Sequence, residues 1–201
     1  MSQEIYTPSN ESKHHDRSNK ITLSISESLE TNIKNLNDLF TNCTDVVKRE
    51  VDIGTKFPVK IYGTYVDGLV NREIIESFFL GRIIDYKNLS ESTTPIEGSI
   101  TELIIDHFSA TFDIREVRSM DDMVRGILSG DAAIFVENTN VGLMIACRGW
   151  PARGVGPPET ESVIRGPREG FVETIRFNTA LIRRRIRDTK LKVEMTSMGI
   201  I

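Results

Sequence analysis

The sequence predicts an α/β protein: a mixed-sheet first subdomain flanked by helices, followed by an incomplete second α/β subdomain. Three observations support this class. Apolar patterns with a helical period alternate with short β-rich runs between residues 26 and 147. The runs AAIFVE and GLMIACRG lie on either side of a turn-prone NTN, which is a β-hairpin signal. Finally, a proline-rich stretch after Trp150 separates this region from a last helix-like run.

The composition is that of an ordinary globular chain. Of the 201 residues, 39% are hydrophobic and 27% are charged. No run approaches the length of about 20 consecutive apolar residues that a membrane-spanning helix needs. The polar start MSQEIYTPSNESKHHDRSNK lacks the apolar segment of a secretory signal. We therefore expect residues 1–24 to be a disordered tail, and we expect neither export nor a transmembrane segment in this chain.

Motifs for catalysis or metal binding are missing from the sequence. Cys43 and Cys147 are far apart and belong to neither a C-x-x-C nor a C-x-x-H pattern, so we expect no disulfide framework and no metal site. The sequence also lacks a Ser-His-Asp arrangement, H-E-x-x-H and G-x-S-x-G. It therefore predicts no catalytic residues, no cofactor and a protein that is not an enzyme.

The first subdomain, predicted to span residues 25–149, begins with a helix whose N-cap is Ser26. A β-rich run then predicts a strand that ends at an Asp67–Gly68 turn, and Asn71 is the expected cap of a second helix. The apolar residues of the first helix are Leu29, Ile33, Leu36, Leu39 and Phe40. Those of the second helix, which is expected to end near Gly81, are Ile74, Ile75, Phe78 and Phe79.

The second half of this subdomain has the clearest pattern. The segment SITELIIDHF favours a helix, and a short strand is predicted to end near Val117. The next helix is expected to be capped by Ser119 and ended by Gly130. The hairpin follows, and the continuous apolar run from Ala132 to Val136 predicts a strand that is covered on both faces.

Residues 150–170 are predicted to be a Pro- and Gly-rich linker that ends in the loop RGPREG. Glycines, free backbone N–H groups before a helix and two guanidinium groups suit an anion. The favoured alternative is a rigid interdomain turn, in which Arg165 or Arg168 pairs with a nearby glutamate. The candidate ligand or interdomain contacts are Arg165, Gly166, Pro167, Arg168, Glu169, Gly170, Phe171 and Glu173.

Residues 171–201 are predicted to hold a basic helix and a strand of the incomplete second subdomain. On a helical wheel, one face gathers Phe171, Val172, Ile175, Ile182 and Ile186, with arginines along both of its borders. The planar fork of arginine suits carboxylates and lipid phosphates, although arginine stems also cover the edges of ordinary cores. The candidate contacts with a partner or with lipid are Arg176, Asn178, Arg183, Arg184, Arg185 and Arg187.

Charge is distributed unevenly along the chain. Residues 1–147 carry 14 Lys and Arg against 23 Asp and Glu, a net charge of -9, whereas residues 148–192 carry 11 against 5, a net charge of +6. Such asymmetry indicates either an anionic partner, such as an acidic membrane surface, or an acidic sister domain. The acidic first part argues against binding of nucleic acid.

The run GWPARGVGPPETESVIRGPREGFVETIRFNTALIRRRIRDTKLKVE resembles the N-terminal soluble region of the A subunit of bacterial spore germinant receptors, the GerA family. The family pattern has a linker with Arg153 and Pro158, a V-x-R-G-P-R-E-G-F-x-E loop at residues 163–173, and a helix with N-x-x-L-I-R-R-R-I at residues 178–186. The upstream stretches YVDGLVN and ILSGDAAIFVE also look like the family, so the resemblance covers residues 27–195.

The resemblance implies a subunit of a nutrient-sensing receptor complex in the spore inner membrane. In that family the A subunit acts with a transporter-like B subunit and a lipoprotein C subunit, and its N-terminal region has two α/β subdomains on the cytoplasmic, spore-core side. This chain is expected to be truncated before the membrane domain, with its last residues poorly packed or self-associated. Its expected function is to transmit the germinant signal; the alternative is a small-ligand or anion binding module whose site lies between the subdomains.

Overall fold

The structure is a computed structural model that describes residues 21–53, 59–77, 101–102, 104–105, 112–149 and 170–198. Residues 101, 102, 104 and 105 are helical, as predicted for that segment. The helices and strands with defined bounds are α1 (Leu29–Leu39), β1 (Val46–Ile53), β2 (Val59–Val66), α2 (Arg72–Glu76), β3 (Ile114–Val117), α3 (Met120–Ser129), β4 (Ala132–Val136), β5 (Gly142–Ile145) and α4 (Ile175–Arg185). Among the described residues, no helix is both long and apolar enough to cross a membrane.

The strands form a five-stranded sheet in the order β1-β2-β4-β5-β3. The α/β class with flanking helices is confirmed, but the four strand pairs are all antiparallel, so the expected mixed sheet is wrong for these strands. A parallel pair needs a crossover connection, usually a helix. The helix α3 is such a crossover, and it connects β3 to β4. These two strands do not pair with each other, because β5 lies between them and pairs with both in the antiparallel direction.

Both faces of the sheet are covered, which confirms the prediction for β4. Its residues alternate between two apolar clusters: Ala133 and Phe135 belong to the cluster with α1 and α3, and Ile134 and Val136 belong to the opposite one. The first cluster also contains Ala180 of α4, whereas the second contains residues of β5 and α2. The last helix therefore packs on the same side of the sheet as α1 and α3.

The edge strand β1 has no counterpart among the sequence predictions. Four of the eight residues in its sequence VVKREVDI are charged, so the alternation of apolar and polar residues expected of a strand is not visible. Charged side chains are typical of edge strands, because they discourage pairing with another chain. The fold therefore places β1 at the position where its polarity is tolerated.

Local capping signals are confirmed at two helices and wrong at one. Asn71 caps α2, since its Oδ1 accepts from the N–H of Glu73 at 2.9 Å. Gly130 ends α3 with a left-handed φ of 94°. At α1, however, the cap is Ser28 rather than Ser26, because the Ser26 hydroxyl accepts from the Ser28 N–H and so shapes the turn before the helix.

The limits of the predicted domains differ in part from the structure. Residues 21–24, predicted to belong to the tail, contact the domain: the Ile21 N–H donates to Asp121 and Ser24 pairs with Ser119. The strand predicted within residues 171–201 is reduced to one bridge, between Val193 and Cys43, so that prediction is wrong for the described residues. The rest of the tail, the linker up to residue 169, Phe78, Phe79 and Gly81 lie outside the described residues.

Candidate interaction site

The buried face of α4 is built on an arginine. Arg183 is fully buried, and its Nε and Nη2 donate to Asp45 Oδ2 and Oδ1 at 2.6 and 2.9 Å. Asp45, also buried, lies just before β1, 138 residues earlier in the chain. This bidentate geometry is the strongest form of an ion pair between protein side chains.

The remaining guanidinium nitrogen of Arg183 also has acceptors. Its Nη1 donates to the Leu191 carbonyl at 2.9 Å and to the Asp188 carbonyl at 3.4 Å. Burial lowers the pKa of Arg183, but the hydrogen bonds to Asp45 and the charge of that carboxylate raise it, so the pKa stays above its ordinary value. The predicted contact of Arg183 with a partner or lipid is therefore wrong, because a buried, fully paired side chain reaches neither.

The segment after α4 forms hydrogen bonds with the turn between α1 and β1. Val193 O accepts from both the N–H and the hydroxyl of Thr44 at 2.9 Å, and that hydroxyl accepts from Met195 N–H at 3.0 Å. Lys192 Nζ donates to the Leu39 carbonyl at 3.1 Å. Residues after α4 therefore hold this turn by both side-chain and backbone hydrogen bonds.

The other end of α4 is held by a second acidic residue. Arg176 Nε lies 3.0 Å from Asp67 Oδ2, and Arg72 lies 3.8 Å from the other oxygen of the same carboxylate. Gly68 follows with φ +87°, and a Cβ there would lie 3.2 Å from the Cβ of Ala180. Glycine at this turn therefore permits the close approach of α4. A cavity of about 380 Å³ opens beside these contacts.

The two acidic anchors are themselves connected. The backbone N–H of Asp67 donates to the carbonyl of Asp45 at 2.8 Å. The two arginines that contact them, Arg176 and Arg183, are seven residues apart on one helix, which is about two turns. Helix α4 thus rests on a pair of acidic residues that a backbone hydrogen bond holds together.

Asn178 has an internal role rather than the predicted contact with a partner. Its Oδ1 accepts from the N–H of Val172 at 2.7 Å, and its Nδ2 donates to the carbonyl of the same residue at 2.6 Å. The side chain therefore mimics a backbone partner and folds the segment before α4 onto the helix. Both of its polar groups are engaged within the chain.

The apolar stripe predicted on the helical wheel is only partly present, because α4 begins at Ile175 and ends at Arg185, so Phe171, Val172 and Ile186 lie outside the helix. Phe171, Ile175 and Ile186 are 71%, 67% and 48% exposed, whereas Ala180 and Arg183 are buried. The buried ion pair sets this orientation, because it turns the arginine side of α4 inward. Among the other predicted contacts, Gly170, Glu173, Arg185 and Arg187 are exposed and Arg184 is half-buried.

The remaining candidate contacts lie in the loop before α4. Arg165, Gly166, Pro167, Arg168 and Glu169 are outside the described residues, so their role stays a prediction. Sequence reasoning missed the two acidic anchors, Asp45 and Asp67. The signal for Asp67 was its Asp-Gly turn, which we interpreted only as the end of a strand.

The fold and this site define an α/β domain with an antiparallel sheet, to which a basic helix is fixed by a buried ion pair. The model of the Bacillus/Clostridium GerA spore germination protein family matches residues 34–201, and the chain belongs to this family. The family predicted from the linker, loop and helix motifs is therefore confirmed.

Relatives and a solved structure agree with this assignment. The chain is 29% identical over 167 residues to spore germination protein GerLA of Bacillus cereus, which covers 83% of the chain and 32% of GerLA. It is 33% identical over 181 residues to the uncharacterized membrane protein YfkQ of Bacillus subtilis (strain 168), covering 87% of the chain and 32% of YfkQ. The chain thus spans about a third of the length of these curated relatives.

The fold is similar to that of a solved domain from a germinant receptor. The crystal structure of the N-terminal domain of the A subunit of the Bacillus megaterium spore germinant receptor GerK3 matches with a TM-score of 0.68. The match covers 90% of this chain and 64% of that one, at 20% identity. It therefore shows a shared fold.

Proposed function

We propose that this chain is the N-terminal soluble part of a subunit in a nutrient-sensing spore germination receptor, and that it transmits the germinant signal within a membrane complex. Family membership supports the receptor, since the relatives are named as spore germination proteins. These names favour a receptor subunit over the alternative of an independent small-ligand or anion binding module. Transmission is a binding and conformational role, so no catalytic step is proposed.

The observation that carries the signalling role is the attachment of α4 to two linked acidic residues. Asp45 and Asp67 hold the two ends of the helix, and a backbone hydrogen bond joins them at the end of β2. A bidentate buried pair has two discrete states, formed or broken, because a displaced charge would be left without a partner. We infer that a small shift of Asp45 and Asp67 at the end of β2 would break this pair and move α4 to a different position.

We also propose the partners and the membrane with which this domain acts. The solved domain is described as part of an A subunit, and YfkQ is described as a membrane protein. By family resemblance, the partners are a transporter-like B subunit and a lipoprotein C subunit in the spore inner membrane. The domain would lie on the cytoplasmic, spore-core side of that membrane.

Spores that carry the receptor gene with this segment test the proposal. Arg176→Gln removes the half-exposed ion pair to Asp67 and weakens one anchor of α4. We expect slower release of dipicolinic acid in response to the nutrient, at an unchanged level of the receptor subunit on immunoblots. The control is Arg125→Gln on α3, which removes another partly exposed ion pair, to Asp121, that includes no residue of α4.

Two outcomes would overturn the proposal at different levels. If both variants germinate like the wild type at equal receptor levels, the α4 anchor has no part in signalling. If deletion of the gene leaves the response to every tested nutrient unchanged, the receptor function itself is wrong.

A further inference from the structure

The short connection between β2 and α2, residues 67–71, lies between two parts of the domain that are distant in the sequence. We call these five residues the 67–71 connection. It is tied both to the residue before β1 and to residues 147–149, which follow β5. Three backbone hydrogen bonds hold it: Asp67 N–H donates to Asp45 O at 2.8 Å, Gly149 N–H donates to Leu69 O at 3.1 Å, and Asn71 N–H donates to Cys147 O at 2.7 Å.

One side of the 67–71 connection packs directly against α4. Arg176 Nε lies 3.0 Å from Asp67 Oδ2. A Cβ added at Gly68 would lie 3.2 Å from three atoms of α4, which are Arg176 Cγ, Arg176 O and Ala180 Cβ. This spacing is tighter than most Cβ contacts, so the helix lies against the backbone of the connection with no room between them.

The other side of the 67–71 connection packs closely against residues 147–149. A Cβ added at Gly149 would lie 2.5 Å from Asn71 Cβ and 3.0 Å from Asn71 Cα. Val70 pairs with Arg148 in an antiparallel bridge, and the Val70 side chain is buried. Five consecutive residues therefore contact α4 at one end and residues 147–149 at the other.

We propose that the 67–71 connection couples residues 147–149 to α4. A displacement at Gly149 then loosens the first turns of α4, and a loosened α4 loosens the contacts of Gly149. Close-packed groups transmit strain because no empty space absorbs it, and contiguous packed and hydrogen-bonded groups carry coupling between sites. Linkage requires that the effect be reciprocal.

The inference rests on the proposed function only where it names residues 147–149 as the side from which a signal reaches α4. The coupling itself is a property of the domain, so it is measured on the purified 201-residue chain without spores.

Hydrogen exchange measured by NMR tests the coupling from the side of α4. Arg176→Gln removes the ion pair between the first turn of α4 and the 67–71 connection. We expect the Asn71 and Gly149 amides to exchange about threefold or more faster, relative to the amides of β4, which report global unfolding. The control Arg125→Gln removes an ion pair within α3 and should leave this ratio unchanged.

The reverse experiment displaces Asn71 by the substitution Gly149→Ala. We expect the Thr179 and Ala180 amides, in the first turns of α4, to exchange about threefold or more faster, again relative to the amides of β4. Gly126→Ala is the control, because its added methyl group meets the side chain of Met144 instead, and it should leave this ratio unchanged. If Gly149→Ala does not fold, the experiment with Arg176→Gln decides alone.

Three outcomes would overturn the coupling. The first is an unchanged exchange ratio for Asn71 and Gly149 in Arg176→Gln, and the second is an equal change in Arg125→Gln. The third is a folded Gly149→Ala variant whose α4 amides exchange no faster relative to β4. A failure of the proposed function gives a different result: spores with Arg176→Gln germinate normally, while the Gly149 amide still responds to that substitution in the purified chain.

Discussion

Asp45 and Arg183 form a bidentate ion pair between two buried side chains that are 138 residues apart in the sequence. This pair explains part of the uneven charge of the chain. The acidic first part and the basic last helix attract each other inside one molecule, so an acidic sister surface, one of the two interpretations of the asymmetry, is present within the chain itself.

Removal of the charge of Asp45 should strongly destabilise the domain. In Asp45→Asn the guanidinium of Arg183 stays buried without a counter-charge, and we expect the free energy of unfolding to fall by about 3–5 kcal/mol. Urea denaturation followed by circular dichroism measures this loss. The double variant Asp45→Leu/Arg183→Met should recover part of the loss, because it removes both buried charges.

An ion pair of similar geometry with an exposed arginine provides the control for this prediction. Asp131 is buried like Asp45 and accepts two hydrogen bonds from Arg148, but the Arg148 side chain is 53% exposed. Asp131→Asn should therefore lower the free energy of unfolding less than Asp45→Asn, because water can solvate the released guanidinium. Equal losses in the two variants would contradict the importance of burial at Asp45.

Features with local signals were predictable from the sequence, and features that depend on distant contacts were not. The Asn71 cap, the Gly130 terminator and the hairpin of β4 and β5 each depend on residue types within a few positions. The orientation of α4 depends on Asp45, which no helical wheel of residues 171–187 contains. The family was predictable because its motif is contiguous, whereas the ion pair that orients the motif is not.

Replacement of Asn178 should loosen the segment before α4 without unfolding the domain. Asn178→Ala removes two hydrogen bonds to Val172, each of which contributes about 1 kcal/mol. We expect faster hydrogen exchange of the Val172 amide and a loss of global stability of at most about 2 kcal/mol. Thr179→Ala is the control, because the Thr179 hydroxyl donates to the Arg176 carbonyl within the helix and, among the described residues, has no hydrogen bond to the segment before it. If both variants leave the Val172 exchange rate unchanged, the segment is held by other contacts.

Gly149 should tolerate a methyl group less well than Gly126. A Cβ at Gly149 would lie 2.5 Å from the Cβ and 3.0 Å from the Cα of Asn71, and the nearby backbone is fixed by the hydrogen bond from Asn71 N–H to Cys147 O at 2.7 Å. At Gly126, the Cβ would meet the flexible end of Met144 at 2.5 Å. We expect Gly149→Ala to lower the free energy of unfolding by about 2–3 kcal/mol.

The comparison with Gly126→Ala tests the reason for this difference. Helix propensity favours alanine over glycine in α3 by about 0.5–1 kcal/mol, which offsets the repacking of Met144. Thermal unfolding should therefore give a nearly unchanged midpoint for Gly126→Ala and a clearly lower one for Gly149→Ala. The opposite order would mean that the backbone at Asn71 yields more easily than the methionine side chain.

Tyr62 should make the domain sensitive to alkaline pH. It is buried on β2, and burial, together with the charge of Glu50, raises its pKa from 10.0 to about 12. Above pH 10 the unfolded chain loses the phenolic proton while the folded domain keeps it, so stability falls as pH rises toward 12. Burial also raises the pKa of Cys147 to about 12, which adds a loss of the same sign from pH 9 upward. Tyr62→Phe should remove the tyrosine contribution, up to about 2–3 kcal/mol of the alkaline loss.

The Tyr62 hydroxyl also lacks a hydrogen-bond partner in the described part of the chain, and comparison with Thr64 separates the effect of ionisation from the effect of burying a hydroxyl. Tyr62 Oη and Thr64 Oγ1 are both buried, and neither has a hydrogen-bond partner among the described residues. Near pH 7, Tyr62→Phe and Thr64→Val should therefore both be neutral or stabilising, since removal of an unpartnered buried hydroxyl ends a desolvation penalty. Thr64 does not titrate, so Thr64→Val should keep the full loss of stability between pH 9 and pH 12. Urea denaturation across this range measures both effects, and an unchanged alkaline loss in Tyr62→Phe would show that Tyr62 ionises as easily in the folded domain as in the unfolded chain.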